Sequence, residues 1–162
     1  MSNDDLVEAI REVDCFQGIH EEDLGQIAKM GRVIEFAANE IVFREGDTAL
    51  SSYVVVSGTL SLEVCAPGIG CRRLSTIRDG EFLGWSPVLD NFHMTVTART
   101  VTICHLIELP KDQLLALCER SPHFGYVFMR GVAQTLARRL SAARMQLLNL
   151  FGDEAETNAA DG

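Results

Sequence analysis

Ser52-Tyr-Val-Val-Val-Ser-Gly-Thr-Leu-Ser-Leu62 sets two short apolar runs on either side of one glycine. Residues 53–56 and 59–64 are rich in β-branched and aromatic side chains, which fit a pleated, half-buried surface. Gly58 between them suits a turn with positive φ, where a Cβ would be strained. The stretch therefore predicts a strand, a tight turn and a second strand. The same texture recurs at residues 33–36, 40–43, 73–77, 94–98 and 102–107. Seven or eight short strands at close spacing predict a sandwich or barrel rather than a parallel sheet.

Helical periodicity flanks this β region. Leu6, Ile10 and Val13 recur at helical intervals, and Glu21 to Met30 repeats that pattern with acids in its first turn. After Leu109 the β texture ends, and Pro110 opens a short helix over residues 110–118. Ser121-Pro122 then reads as an N-cap followed by proline at the first helical position. With only Gly125 and Gly131 as weak breakers, a helix of about 30 residues is expected to Phe151, roughly 45 Å long. Along it Ala133, Leu136, Leu140, Ala143, Leu147 and Leu150 recur every three or four residues, as in the seam of a coiled coil. Pairing with a second copy through the 122–151 helix is the expected use of that seam. The chain divides into an N-terminal helical segment (1–30), a β-roll (31–109), C-terminal helices (110–151) and an acidic, disordered tail (152–162).

A chain of 162 residues, 47% hydrophobic, buries one sizeable core. The net charge of −9 works against binding a phosphate backbone, which needs clustered Lys and Arg. The longest apolar runs fall far short of the ~20 residues of a membrane span, and Met1-Ser-Asn-Asp-Asp5 lacks the basic start of a secretory signal. A cytoplasmic protein that touches neither membrane nor DNA is expected. The five cysteines include no CxxC pair, so reduced thiols are expected. Cys65 and Cys71 alone flank a turn, Ala-Pro-Gly-Ile-Gly, across which they can face each other.

Several motifs carry a family resemblance. Phe43-Arg-Glu-Gly-Asp47 ends a strand in a Gly-Asp turn, the 52–62 stretch meets its glycine turn, Asp79-Gly-Glu-Phe-Leu-Gly84 leads into a loop, and Val96-Thr-Ala98 leaves it. In order and spacing these resemble the cyclic-nucleotide-binding module of the catabolite-activator (Crp/Fnr-like) family over residues 16–151. That resemblance implies a double-stranded β-helix, or jelly roll, mainly β with flanking helices. It also implies a regulatory homodimer and a cyclic nucleotide, cAMP or cGMP, in a phosphate-binding cassette spanning Gly80 to Thr95. The candidate ligand-binding residues are Gly84, Trp85, Ser86, Phe92, His93, Met94 and Thr95. Gly46, Gly58 and Gly80 are assigned to the turns of the roll instead.

Two cassette positions depart from the family pattern. Where it has a glutamate for the ribose hydroxyl, this chain has Trp85, and where it has an arginine for the phosphate, it has Phe92 beside His93. A short helix starting at Ser86-Pro87 would aim free N–H groups into the pocket. His93 is either a protonatable substitute for the arginine or a plain loop end. Trp85 is either a core residue or a platform for a flat ligand. Arg72, Arg73 and Arg99 are further sources of positive charge, with Arg99 and Ala98 on opposite faces of one strand.

No helix-turn-helix is expected after Phe151, so a stand-alone sensor is the reading. The alternative is a ligand-free dimeric module acting on a separate protein partner through the basic face of Arg138, Arg139 and Arg144. Cys65, Cys71, His93, His105 and His123 lack any diagnostic metal or haem spacing. The chain has no nucleophile elbow, zinc-protease motif or phosphate loop, so no enzyme and no catalytic residue is expected.

Overall fold

The computed structural model describes residues 1–89 and 92–160, with side chains up to residue 152. Ser2 and Asp5 cap helix α1 (Asn3–Arg11) reciprocally, each side chain bonding the other's backbone N–H. That capping box starts the helix three residues before the apolar periodicity does. A 3₁₀ turn (Asp14–Phe16) leads to α2, which occupies Glu21–Met30 as expected.

Eight strands follow: β1 (Arg32–Phe36), β2 (Ile41–Phe43), β3 (Ser51–Ser57), β4 (Leu60–Ala66), β5 (Gly70–Ile77), β6 (Phe82–Leu83), β7 (Thr97–Thr100) and β8 (Cys104–Pro110). They form two antiparallel four-stranded sheets, ordered β1-β8-β3-β6 and β2-β7-β4-β5. This is the jelly roll expected from the sequence. The strand read at 94–98 begins at Thr97 instead. Met94 bonds its N–H to the Asp47 carbonyl and its carbonyl to the Gly46 N–H, so the chain still belongs to a turn contact there.

Strand alternation splits the core in two. Val55 and Leu106 face the interior of the roll with Phe43, Leu60, Leu83, Met94 and Ala98. Val54 and Ile107 face the other way, onto the helices, with Ile10, Phe16, Ile27, Phe124 and Phe128. Gly58 joins β3 to β4 at φ 108°, and a Cβ there would lie 2.5 Å from both the Cys104 sulfur and the Ile103 carbonyl oxygen. No other residue fits that turn without moving β8.

Pro110 caps α3 (Lys111–Arg120) rather than entering its first turn. Helix α4 starts at Pro122 as read, with Ser121 Oγ accepting from the Phe124 N–H and donating to Asp23. Gly125 and Gly131 of α4 allow close approach rather than breaking it. A Cβ on Gly125 would sit 2.9 Å from the Cys118 carbonyl oxygen, and one on Gly131 would sit 2.6 Å from Cα of Cys15. Phe16, Phe124 and Phe128 then stack on one another, each buried ring contributing about 1.5–3 kcal/mol.

The helix runs to Ala160, nine residues beyond the expected end at Phe151 and through most of the tail read as disordered. Glu and Ala dominate residues 154–160, and both favour helix once one is nucleated. Asp161 and Gly162 of that tail lie outside the described residues. Cys65 and Cys71, expected as thiols, are joined as a disulfide, because β4 and β5 pair them directly across the hairpin. Cys15, Cys104 and Cys118 are free.

Candidate ligand pocket

The cassette segment begins where β6 ends. Gly84 takes φ 79°, and its carbonyl accepts a buried 2.8 Å hydrogen bond from Ser52 Oγ. That bond fastens the segment to β3 and turns Trp85 toward helix α4. The indole packs against Phe82 with ring centroids 4.6 Å apart, and its Nε1 is buried without a hydrogen-bond partner. From α4, Arg139 lays its guanidinium carbon 5.4 Å from the Trp85 ring centroid and donates to the Phe82 carbonyl at 3.4 Å.

Between these elements lies a cleft of about 280 Å³. Trp85, Thr95 and Val96 line it from the cassette, Leu62, Leu74 and Ser75 from the β4–β5 hairpin, and Arg139, Ala142, Ala143 and Gln146 from α4. The walls are mostly apolar, with hydroxyls, one amide and one guanidinium as polar groups and no carboxylate. Burial lowers the Arg139 proton affinity from its ordinary value, with Glu81 opposing that effect and Arg138 adding to it. A guanidinium remains charged at any physiological pH regardless.

The structure separates the sequence candidates. Trp85 and Thr95 reach the cleft. Met94 is buried inside the roll, and Ser86 is buried in the turn after Trp85. Phe92 is 77% exposed, with its carbonyl bonded by the Ala49 N–H, and exposed His93 bridges to Thr48. Neither lines the cleft. The helix read at Ser86-Pro87 is a single turn closed by the Val88 and Leu89 N–H groups on the Trp85 carbonyl, so no row of free helical N–H groups faces the cleft from the described residues. Asp90 and Asn91 of the same loop lie outside the described residues.

Ala98 points into the core and Arg99 away from it, where Arg99 pairs with Glu63 at 3.4 Å. Arg72 and Arg73 are exposed on β5. Arg138 pairs with Asp14, Arg139 turns inward and Arg144 is exposed, so the three do not form one basic face. His105 bonds Ser57 and Glu35, while His123 stacks on His20, which leaves these histidines scattered. Among the described residues the one donor cluster is Glu63 with Cys65 and Cys71, whose sulfurs are bonded to each other. Periodicity had assigned Arg139 only to a helix surface. Nothing local marks it as a pocket residue, because Trp85 lies 54 positions earlier in the chain.

A jelly roll closed by a long helix leaves a cleft between the cassette loop and that helix. The chain belongs to the cyclic nucleotide-binding domain family, whose model matches residues 33–121. It is 31% identical over 119 residues to the cyclic AMP receptor protein of Thermus thermophilus, covering 74% of this chain and 53% of that protein. It is 23% identical over 144 residues to a CRP-like cAMP-activated global transcriptional regulator of Mycobacterium tuberculosis, covering 89% of this chain and 62% of the relative. The chain thus spans little more than half the length of these relatives. Among solved structures it resembles a cyclic nucleotide-binding domain from Methylobacillus flagellatus, with a TM-score of 0.77 at 15% identity over 91% of this chain and 83% of the other. No helix of the described residues is long and apolar enough to cross a membrane.

Proposed function

We propose that this domain is a regulatory sensor for a cyclic nucleotide, cAMP or cGMP, and that it works as a homodimer through α4. The observation that carries the reading is the cleft itself, walled on one side by the cassette residues Trp85 and Thr95 and on the other by α4. A ligand there touches the loop that recognises it and the helix that transmits its presence. The volume of about 280 Å³ suits one mononucleotide-sized ligand, near the lower end of small-molecule sites. Relatives named for cyclic AMP support the ligand class.

The cassette is divergent in this reading. Trp85 offers an aromatic face for a base in place of a carboxylate for a ribose hydroxyl. Gly84, Ser86 and Met94 shape the loop, while Phe92 and His93 stand at its outer end. For the dimer, every residue from Leu140 to Gly152 is exposed in the single chain, including Leu147, Leu148, Leu150 and Phe151. An exposed apolar helix of that length fits pairing with a second copy.

Isothermal titration of cAMP, cGMP and linear AMP tests the reading. Saturable binding of a cyclic nucleotide in preference to AMP is expected, and no binding of either cyclic nucleotide at millimolar concentration refutes it. The absence of any carboxylate from the cleft favours a second reading, a dimeric interaction module whose cleft takes no nucleotide and which acts on a separate protein partner. That reading predicts a dimer unaffected by any nucleotide.

A further inference from the structure

We infer that Arg139 is the anion anchor of this cleft, so that the phosphate-binding charge comes from helix α4 instead of the cassette loop. The inference rests on reading the cleft as the ligand site. Arg139 is the one charged residue among those lining it. The guanidinium has five N–H donors, and its one hydrogen bond here is the 3.4 Å contact to the Phe82 carbonyl. Among the described residues no carboxylate lies within ion-pair distance, whereas neighbouring Arg138 pairs with Asp14. Glu81 acts on this charge from beyond ion-pair distance, so most of the donors of this half-buried cation are left at the edge of the cleft for an anion to take.

The cation–π contact with Trp85 sharpens this. A guanidinium lying over an indole keeps its N–H bonds in its own plane, so the ring holds the group in position without using its donors. Ala142 and Ala143, one turn further along α4, are small enough to leave the space beside it open. Ser75, Thr95 and Gln146 supply neutral hydrogen-bonding groups around the same space. The lining therefore carries a single positive charge, a flat aromatic face and a few neutral polar groups. Those features fit a monoanionic phosphodiester attached to a planar base. Phe92 and His93, where the loop would be expected to supply the charge, are exposed and outside the cleft.

The test compares cAMP with adenosine, which shares the base and sugar but has no charge, by titration against wild type, Arg139→Lys, Arg139→Gln and Arg144→Gln. Circular dichroism melts confirm that each variant is folded. An anchor predicts that Arg139→Gln weakens cAMP binding about 10- to 100-fold, the usual worth of a charged hydrogen-bonded contact, while adenosine changes less than about threefold. Arg139→Lys should fall between, because it keeps the charge and loses the fork, and Arg144→Gln should match wild type. Equal losses for cAMP and adenosine in Arg139→Gln would make Arg139 a wall residue and overturn the inference, as would unchanged cAMP binding. A loss in Arg144→Gln equal to that in Arg139→Gln would also overturn it, by showing a diffuse field effect. Wild-type protein that binds no cyclic nucleotide would remove the ligand reading and the anchor together.

Discussion

The guanidinium of Arg139 and the indole of Trp85 face each other at 5.4 Å, joining two segments that the sequence keeps 54 positions apart. Together with the Arg139 hydrogen bond to the Phe82 carbonyl, this pair joins the cassette to α4. A double-mutant cycle of Trp85→Ala and Arg139→Gln, followed by urea denaturation, should give a coupling energy of about 0.5–1 kcal/mol. Strictly additive effects would mean that the two side chains do not interact in solution.

The Cys65–Cys71 disulfide closes a short loop at the exposed end of the β4–β5 hairpin. Loop-closure entropy for such a loop contributes about 2 kcal/mol. The double variant Cys65→Ser, Cys71→Ser should lose roughly that much stability in denaturant. Alkylation of unfolded protein, followed by mass spectrometry, should label three cysteines before reduction and five after it. Labelling of all five without a reductant would show that the hairpin carries free thiols.

Leu147 is 56% exposed and Leu150 is 65% exposed on one stripe of α4. If that stripe is a dimer seam, Leu147→Lys should shift the protein from dimer to monomer in sedimentation velocity at micromolar concentration. The β-roll should keep its melting profile apart from any loss of concentration dependence, because every residue from Leu140 to Gly152 is exposed in the single chain. A wild-type protein that sediments as a monomer would discard the dimer.

Burial pushes the Tyr53 phenol up to about 12, with Glu108 adding to the rise and Arg32 opposing it. A raised folded-state value means that the native protein holds this proton more tightly than the unfolded chain does. The associated stability is present below pH 10 and is lost as pH rises from 10 towards 12. Denaturant midpoints over that window should fall less steeply in Tyr53→Phe than in wild type. Parallel curves would show that Tyr53 titrates normally.

The pattern-bearing parts of the fold were legible. Gly58 and its flanking strands, the α2 span from Glu21 to Met30 and the Ser121-Pro122 start of α4 all depend on local rules: positive φ, helical period and cap chemistry. The misjudged boundaries have equally local causes. The Ser2–Asp5 cap lengthened α1, the Met94 turn contacts delayed β7, and Glu- and Ala-rich residues carried α4 through the tail.

The candidate site was legible only in part. Trp85 and Thr95 were found through the glycine framework of the cassette, and both reach the cleft. His93 and Phe92 were placed by position along the loop, and backbone contacts to Thr48 and Ala49 hold that end of it outward. The Cys65–Cys71 pairing depended on strand register, which places the two residues directly opposite each other.

By itself, the sequence determined the roll, its turns and the long helix. Those features follow from side-chain period and backbone allowance, which act over a few residues. The tertiary structure alone decided that Arg139 meets Trp85. That contact needs Gly131 to bring α4 against the 3₁₀ turn and Gly84 to aim the indole, two placements set by packing between distant segments.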